Sequence, residues 1–385
     1  MNKLENISVK GFRRLQNIDI EMRNLTVMIG ANGSGKTSFL DVFSILAASA
    51  SGNLNQQLQL KGGLNEILTR GKARELEIAL AMNVPDREPL KYRLALSPKG
   101  LSYEISEETL SQQHEAYLPS VVEPLKHIES YGLDIKYING EDRRTLRPTW
   151  EHNPLETSLA QVPKMYREPD DLRKSLASCT YYGALDVSEK SPIRLPQAMR
   201  PAKLPGARGE DLVSCLYDLR ETDRDSFEFL ESVLSVAFPD FERLNFPPVA
   251  AGTLSMTWTD RNFSQPIYLH ELSEGALRFL WLATLLQSQN LTTIALIDEP
   301  EVSLHPDLLR HLVYLMREAA KHTQLIVATH SDRLIRFLEP HEVLICDLEE
   351  GETKMTWADT LNLSKWLEDF SLDQVWAMNI MGGRS

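Results

Sequence analysis

Apolar positions near the start of the chain recur in strand style, at Leu4, Ile7 and Val9 and again at Leu15, Ile18 and Ile20. The pattern then changes. Leu25-Thr26-Val27-Met28-Ile29 is apolar apart from one threonine, which predicts a strand buried on both faces. Helical spacing follows at Phe39, Val42, Phe43 and Leu46, and from residue 75 onward strand-like stretches recur at ELEIALAMNV, YRLALSP, LSYEI and DIKYING. Residues 139–180 are polar and read as loop-rich. Helical spacing returns at Leu212, Leu216 and Leu219, then at Phe227, Leu230, Val233 and Leu234, until Pro239, Pro247 and Pro248 interrupt it. From about residue 267 helices and strands alternate through LSEGALRFLWLATLL, TTIALID, PDLLRHLVYLMREAA, QLIVATH and SDRLIRFL. That alternation predicts a parallel α/β core. The core is split in sequence, with one strand near residue 27 and others near 297 and 327. The predicted division is a core lobe from 1–160 and 286–385 and a helical lid inserted at about 161–285.

Candidate chemistry sits at the ends of these predicted strands. Gly30-Ala31-Asn32-Gly33-Ser34-Gly35-Lys36-Thr37 fits the phosphate-loop pattern GxxxxGK[ST], with a buried strand before it and an amphipathic helix after it. The glycines let backbone N–H groups converge on phosphates, Lys36 reaches the β- and γ-phosphates, and Thr37 offers its hydroxyl to Mg²⁺. The expected nucleotide contacts are Gly30, Asn32, Gly33, Ser34, Gly35, Lys36, Thr37 and Ser38. A second apolar strand, Thr293 to Ile297, ends in Asp298-Glu299. An aspartate there can hold the Mg²⁺ shell, and Glu299 can orient or deprotonate an attacking water. Ser273 and Gly275 open a predicted helix, where a hydroxyl, a close backbone approach and the helix N-terminus suit an anion; Ser273 also reads as a simple helix cap.

With these motifs in place, the chain resembles the ATP-binding cassette ATPases of the SMC, RecF and OLD-nuclease group, and within it the compact ATPases without a long coiled coil. The matching residues run in order along nearly the whole chain: KGFRRLQNIDIEM as a first β-hairpin, the phosphate loop, Ser158-Leu159-Ala160-Gln161 at the Q-loop, Leu272-Ser273-Glu274-Gly275 as the cassette signature, IDEPE, Ser303-Leu304-His305-Pro306 in the D-loop place, Thr329-His330-Ser331 as the histidine switch, and a tail with Trp376 and Gly382-Gly383-Arg384. The resemblance implies an α/β P-loop ATPase head with an antiparallel β subdomain and an inserted helical lid. It implies ATP and Mg²⁺ as ligands, Gln161 on Mg²⁺ or the attacking water, and His330 on the γ-phosphate. Ser273 and Gly275 would meet the nucleotide of a second protomer, in a homodimer or higher even oligomer with composite sites. Glu274 stands where the group usually has glycine. Arg13 or Arg14 is placed to approach the nucleotide from the hairpin.

Composition narrows the biology. The chain has 385 residues, 42% of them hydrophobic and 25% charged, and a formal net charge of −13. An acidic chain is no general nucleic-acid coat, though a local basic groove stays open. Residues 190–208 hold Lys190, Arg194, Arg200, Lys203 and Arg208 with four prolines and no acid; they read either as a loop on DNA or RNA or as a solvated surface loop. Cys179, Cys215 and Cys346 show no paired spacing, against a disulfide framework or zinc site. No apolar run reaches the ~18–20 residues of a membrane span. The expectation is a cytoplasmic ATPase, either the sensor or scaffold of a prokaryotic defence or toxin system with a separate nuclease or toxin effector, or a DNA-repair ATPase. A transporter ATPase is disfavoured by the β-rich stretch before Gln161.

Overall fold

The computed structural model describes residues 2–113, 124–132, 134–138, 145–148 and 151–383. Asn139, Gly140 and Arg384, quoted above in their motifs, lie outside them. The opening alternation forms an antiparallel hairpin of β1 (Lys3–Phe12) and β2 (Leu15–Glu21). β3 (Leu25–Ile29) follows with every residue buried, then the phosphate loop and helix α1 (Lys36–Ser51). Next come β4 (Leu76–Val84), β5 (Arg87–Lys99), β6 (Ser102–Gln112), β7 (Leu125–Tyr131), β8 (Asp134–Ile138) and β9 (Thr145–Leu146). They join the hairpin in one antiparallel sheet ordered β2-β1-β4-β5-β6-β7-β8-β9.

The predicted parallel core is a six-stranded sheet. Its order is β10 (Thr180–Tyr182), the strand Ile294–Asp298, the strand Gln324–Ala328, β3, the strand Val343–Glu349 and the strand Glu352–Trp357. All pairings are parallel except the last. Because side chains alternate across a strand, this sheet feeds two cores. Leu25, Val27, Ile29, Ala295, Ile297, Leu325 and Val327 join the helices Glu274–Gln287 and Pro306–Ala319 on one face. Met28, Ile294, Leu296, Ile326 and Ala328 join α1 and the antiparallel sheet on the other.

Two features differ from the sequence reading. Residues 161–182 belong with the core rather than the lid: the helix Arg167–Ala177 packs on α1, and β10 is an edge strand of the core sheet. The loop-rich reading of 139–180 fails there because this helix buries only a narrow stripe, Leu172 and Leu176, under a strongly charged surface. The lid is also mixed rather than helical. Beside the helices Leu212–Thr222 and Arg224–Ala237 it carries two small three-stranded sheets, and its apolar side chains continue the core under the helix Glu274–Gln287. Among the described residues no helix is long and apolar enough to cross a membrane.

One buried carboxylate fastens the antiparallel sheet to the chain beyond it. Glu108 of β6 accepts hydrogen bonds from Ser158 N (2.6 Å), Leu159 N (2.9 Å) and the Tyr92 hydroxyl (3.0 Å). Burial pushes its carboxyl above the usual range, and the two backbone donors oppose that shift. Replacing Glu108 with Ala strands two buried N–H groups, each worth ~1–3 kcal/mol. Glu108→Ala should therefore lower unfolding free energy by about 2–5 kcal/mol in urea denaturation, whereas a loss under 1 kcal/mol would show that these donors find other partners.

Candidate functional site

The C-terminal edge of the parallel sheet gathers the predicted groups. The register aligns Asp298 with Ala328 and Ala328 with Met28, so the carboxylates, the Thr329-His330 turn and the phosphate loop leave neighbouring strands side by side. Gly30 exits β3 against the strand Val343–Glu349; a Cβ there would lie 2.1 Å from the Cys346 carbonyl oxygen. Gly35 caps α1 in a left-handed conformation (φ 106°), with no side chain capping the helix and no acid in its first turn. The first-turn N–H groups are thus left for an anion.

Lys36 is buried, and its Nζ donates to Gly30 O (2.6 Å) and Ala31 O (3.0 Å). Among the described residues no carboxylate lies within ion-pair distance of it. Burial lowers its pKa, opposed by the Cys346 thiol and then by Asp298, Glu299 and Glu301. A buried ammonium resting on loop carbonyls fits an anionic phosphate as its missing counterion. Thr37 is exposed beside it, Ser38 is half-buried, Ser34 is buried, and Asn32 and Gly33 form the exposed rim. Arg14 reaches that rim, donating to Gly33 O at 3.3 Å, whereas Arg13 is held by Asp41 at 2.7 Å.

Asp298 ends its strand half-buried. Burial raises its pKa, and a hydrogen bond from the Tyr181 hydroxyl (2.9 Å) opposes the rise, while nearby Glu299 adds to it. Glu299 adopts φ 51° and donates its backbone N–H to Ala328 O at 2.8 Å, so the chain turns sharply while still tied to the next strand. Its carboxylate lies 3.7 Å from His330 Nε2. Burial first, and Lys36 second, push His330 below the ordinary histidine range, against Glu299, Asp298 and a bond to the Gly30 backbone. Glu301, which the sequence reading passed over, clamps this turn: its Oε1 accepts from Thr329 Oγ1 (2.5 Å) and His330 N (3.3 Å).

Gln161 does not reach this edge. Its amide donates to Glu156 O (3.0 Å) and Thr157 O (3.2 Å) and accepts from Asn153 N (2.7 Å). Thr157 in turn bonds Ser49 O, at the far end of α1. Along the helix Lys36–Ser51, thirteen residue steps of 1.5 Å separate Ser49 from Lys36, about 20 Å. SLAQ is one helical turn held by Glu108, with no core strand leading it to the edge. Tyr181 of β10 meets Asp298 instead. Its sequence signal, CTYY ahead of a glycine, is a strand of only three residues.

Ser273 caps the helix Glu274–Gln287, accepting from Ala276 N at 3.2 Å, and is exposed. Gly275 touches the turn after the carboxylates; a Cβ there would come 2.8 Å from Ser303 O. Among the described residues no hydrogen bond links Ser273 or Gly275 to the phosphate loop of the same chain. Three of the five basic residues of the 190–208 segment are paired within the chain, although Lys190, Arg200, Lys203 and Arg208 are all exposed. Arg200 pairs with Asp211, Lys203 pairs with Asp218 at 2.7 Å, and Arg194 donates to the carbonyls of Val187, His270 and Leu272. Of the two readings of that segment, this geometry favours the solvated surface loop, with part of its charge paired within the chain.

Residues 25–336 match the family described as "AAA domain, putative AbiEii toxin, Type IV TA system". The chain belongs to that family. No curated protein matches it. It is similar to the crystal structure of an SMC head bound to the C-winged helix domain of ScpA, with 16% identity and a TM-score of 0.57 over 92% of this chain and 97% of that one. It is also similar to the Smc head domain with an extended coiled coil from Pyrococcus furiosus, bound to the C-terminal domain of ScpA, with 14% identity and a TM-score of 0.55 over 96% and 98%. At these identities the likeness speaks for the fold, that of an SMC-head type P-loop ATPase, as the motif order implies.

Within this AAA-family site, Tyr181 has a role that can be read without any ligand. Its hydroxyl stabilises the ionised form of Asp298, so Tyr181→Phe should move the Asp298 titration to higher pH. Carbon-13 NMR of aspartate-labelled protein, with Asp298→Asn for assignment, measures it; an unmoved midpoint removes Tyr181 as a support of that carboxylate.

Proposed function

We propose that this chain binds and hydrolyses ATP and works as an ATP-switched dimer. The observation that carries the proposal is the convergence of Lys36, Asp298, Glu299 and His330 on one sheet edge, while Ser273 caps an exposed helix start that no phosphate loop of its own chain meets. In the chemical step Glu299 takes a proton from a water attacking the γ-phosphorus, and the bond from that phosphorus to the oxygen of ADP breaks, giving ADP and phosphate. Thr37 and Asp298 are the residues that fit a bound Mg²⁺, which would neutralise charge on the phosphate oxygens. His330, kept neutral by burial and by Lys36, is suited to donate a hydrogen bond to the γ-phosphate without adding a second buried charge. Ser273 and Gly275 offer a cap, N–H groups and a close approach to the nucleotide of the partner.

The family description supports a place in a prokaryotic defence or toxin system, and we infer that the chain is its cytoplasmic sensor or scaffold, with the toxic or nucleolytic act belonging to a separate protein. The SMC heads to which it is similar are themselves bound to a partner domain, and an effector docked on an ATP-switched head fits that arrangement.

Lys36→Ala removes a charged hydrogen bond to phosphate, worth ~1.5–3 kcal/mol, and should weaken ATP binding by roughly 10- to 150-fold in calorimetry; unaltered affinity would refute the phosphate-loop assignment. Glu299→Gln should keep ATP bound and block turnover, so that light scattering after gel filtration finds an even oligomer in ATP. Adding Ser273→Arg places bulk and charge where the partner's γ-phosphate docks, and the double variant should return to the mass seen without ATP. If Ser273→Arg alters neither turnover nor ATP-dependent mass, the shared site is wrong.

A further inference from the structure

The lid carries a groove that the ATP site does not use. Its floor is the antiparallel sheet of Phe241–Asn245, Thr257–Asp260 and Ile267–Tyr268. Leu244 pairs with Trp258, and Trp258 with Ile267; these side chains belong to the core or pack against it. Alternation therefore turns the paired sets Arg243 with Thr259, and Asn245 with Thr257 and Tyr268, to the opposite face. That face opens into a groove of about 620 Å³, closed at its sides by Arg220 and Phe246 and by the turn bearing Phe263.

The chemistry of this groove is unlike that of the chain as a whole. The protein has 54 acidic and 41 basic residues, yet the groove lining includes two arginines and no acid. Arg220 lies over the Phe246 ring at 4.9 Å, and it is also paired with Glu221 at 2.7 Å. Arg243 is exposed and makes no ion pair among the described residues. Phe263 is 61% and Tyr268 45% exposed, and the Tyr268 ring stacks against His270 with centroids 5.9 Å apart, leaving its other face and the Phe263 ring open to a flat ligand. Exposed rings on a polar sheet face, with amide and hydroxyl groups between them and arginines at the margin, are the means by which proteins hold unstacked bases and their phosphates.

We propose that this groove binds a short single-stranded stretch of nucleic acid. Bases stack on Phe263 and Tyr268, Asn245 and Thr259 meet base edges, and Arg243 and Arg220 meet the backbone. Three strands at ~4.8 Å spacing make a platform roughly 10 Å across, wide enough for a short single strand but not for a duplex. A duplex hides its base faces and does not fit. An acidic peptide would match the arginines but leave the exposed ring faces uncovered. The site also lies close to the signature. Tyr268 stands five residues before Ser273 in the sequence, and the chain between them is pinned by Tyr268 N to Glu271 (2.7 Å) and by Arg194 to the His270 and Leu272 carbonyls (2.9 Å each). Coupling of the groove to ATP turnover rests on the function proposed above; binding does not.

Fluorescence anisotropy of the full chain with labelled 12-mers of uridylate and of thymidylate, without ATP, tests this. Binding of at least one 12-mer is expected, at least tenfold tighter than a duplex of the same length. Its salt slope should be near −1.4, from about −0.7 per phosphate for two arginines. Phe263→Ala should weaken it about fivefold or more, since one stacked base is worth ~1–3 kcal/mol, and Arg243→Glu should weaken it and flatten its salt slope. Phe263 is an exposed turn residue, so its truncation leaves the fold intact even if charge reversal at Arg243 does not. No binding at 50 mM salt (roughly the low end used to detect phosphate contacts), equal affinity for duplex, an unweakened Phe263→Ala, or displacement by an oligoglutamate as readily as by unlabelled 12-mer would each overturn the assignment. Absence of ATP turnover in the parent protein would count against the ATPase reading and leave the anisotropy result standing.

Discussion

A parallel sheet must bury both faces at once, and the site follows from that requirement. The central core strands are short and mostly apolar, so they carry little polar chemistry along their length; Leu25–Ile29 and Gln324–Ala328 are buried at every position. The reactive groups are displaced to the one place where strands end and side chains can emerge. With Asp298, Ala328 and Met28 in register, three sequence-distant turns open onto the same edge. The antiparallel sheet and the lid cover opposite faces and so hold that edge flat. Nothing in the loops themselves would bring Lys36 near Asp298.

Charge at that edge is set by burial, with neighbouring groups opposing it. Lys36 and His330 are both moved toward their neutral forms, and so is Asp298, in each case chiefly by burial. The opposing influences are the groups' own neighbours, which makes the set interdependent: losing Lys36 removes an influence that lowers His330 as well as one that lowers Asp298. The turn between them stores backbone strain. Glu299 and Ser303 are non-glycine residues at φ 51° and 61°, a conformation costing on the order of 1–3 kcal/mol that the hydrogen bond from Glu299 N to Ala328 O helps to hold.

What could be read in the sequence was whatever sits at the end of a recognisable strand. Gly30 to Thr37, Asp298-Glu299 and Thr329-His330 each sit at the end of a short, mostly apolar strand, and the structure brings them together. Gln161 lacked such a strand, and its four-residue motif was matched without one. The strand that does reach Asp298 is three residues long, below the length at which alternation carries information. The charges of the 190–208 segment were visible, but their partners Asp211 and Asp218 come from a helix start and a helix face that only the fold sets against them. The lid read as helical because its two helices have clear spacing, whereas its strands are two to five residues long.

The position of Gly275 ties the helix start at Ser273 to the carboxylate turn. Its backbone lies against Ser303 O so closely that a methyl group would intrude, and Glu274 reaches Ser303 Oγ at 3.4 Å. Ser303 is four residues from Glu299, across the strained turn. Whatever seats on Ser273 therefore bears on the same turn that aims Glu299, within one chain. From the other side, the strand Ile267–Tyr268 enters Ser273 through a short helical turn whose carbonyls Arg194 holds. The lid sheet, the helix start at Ser273 and Glu299 are thus joined by short segments tied to one another by hydrogen bonds and close contacts.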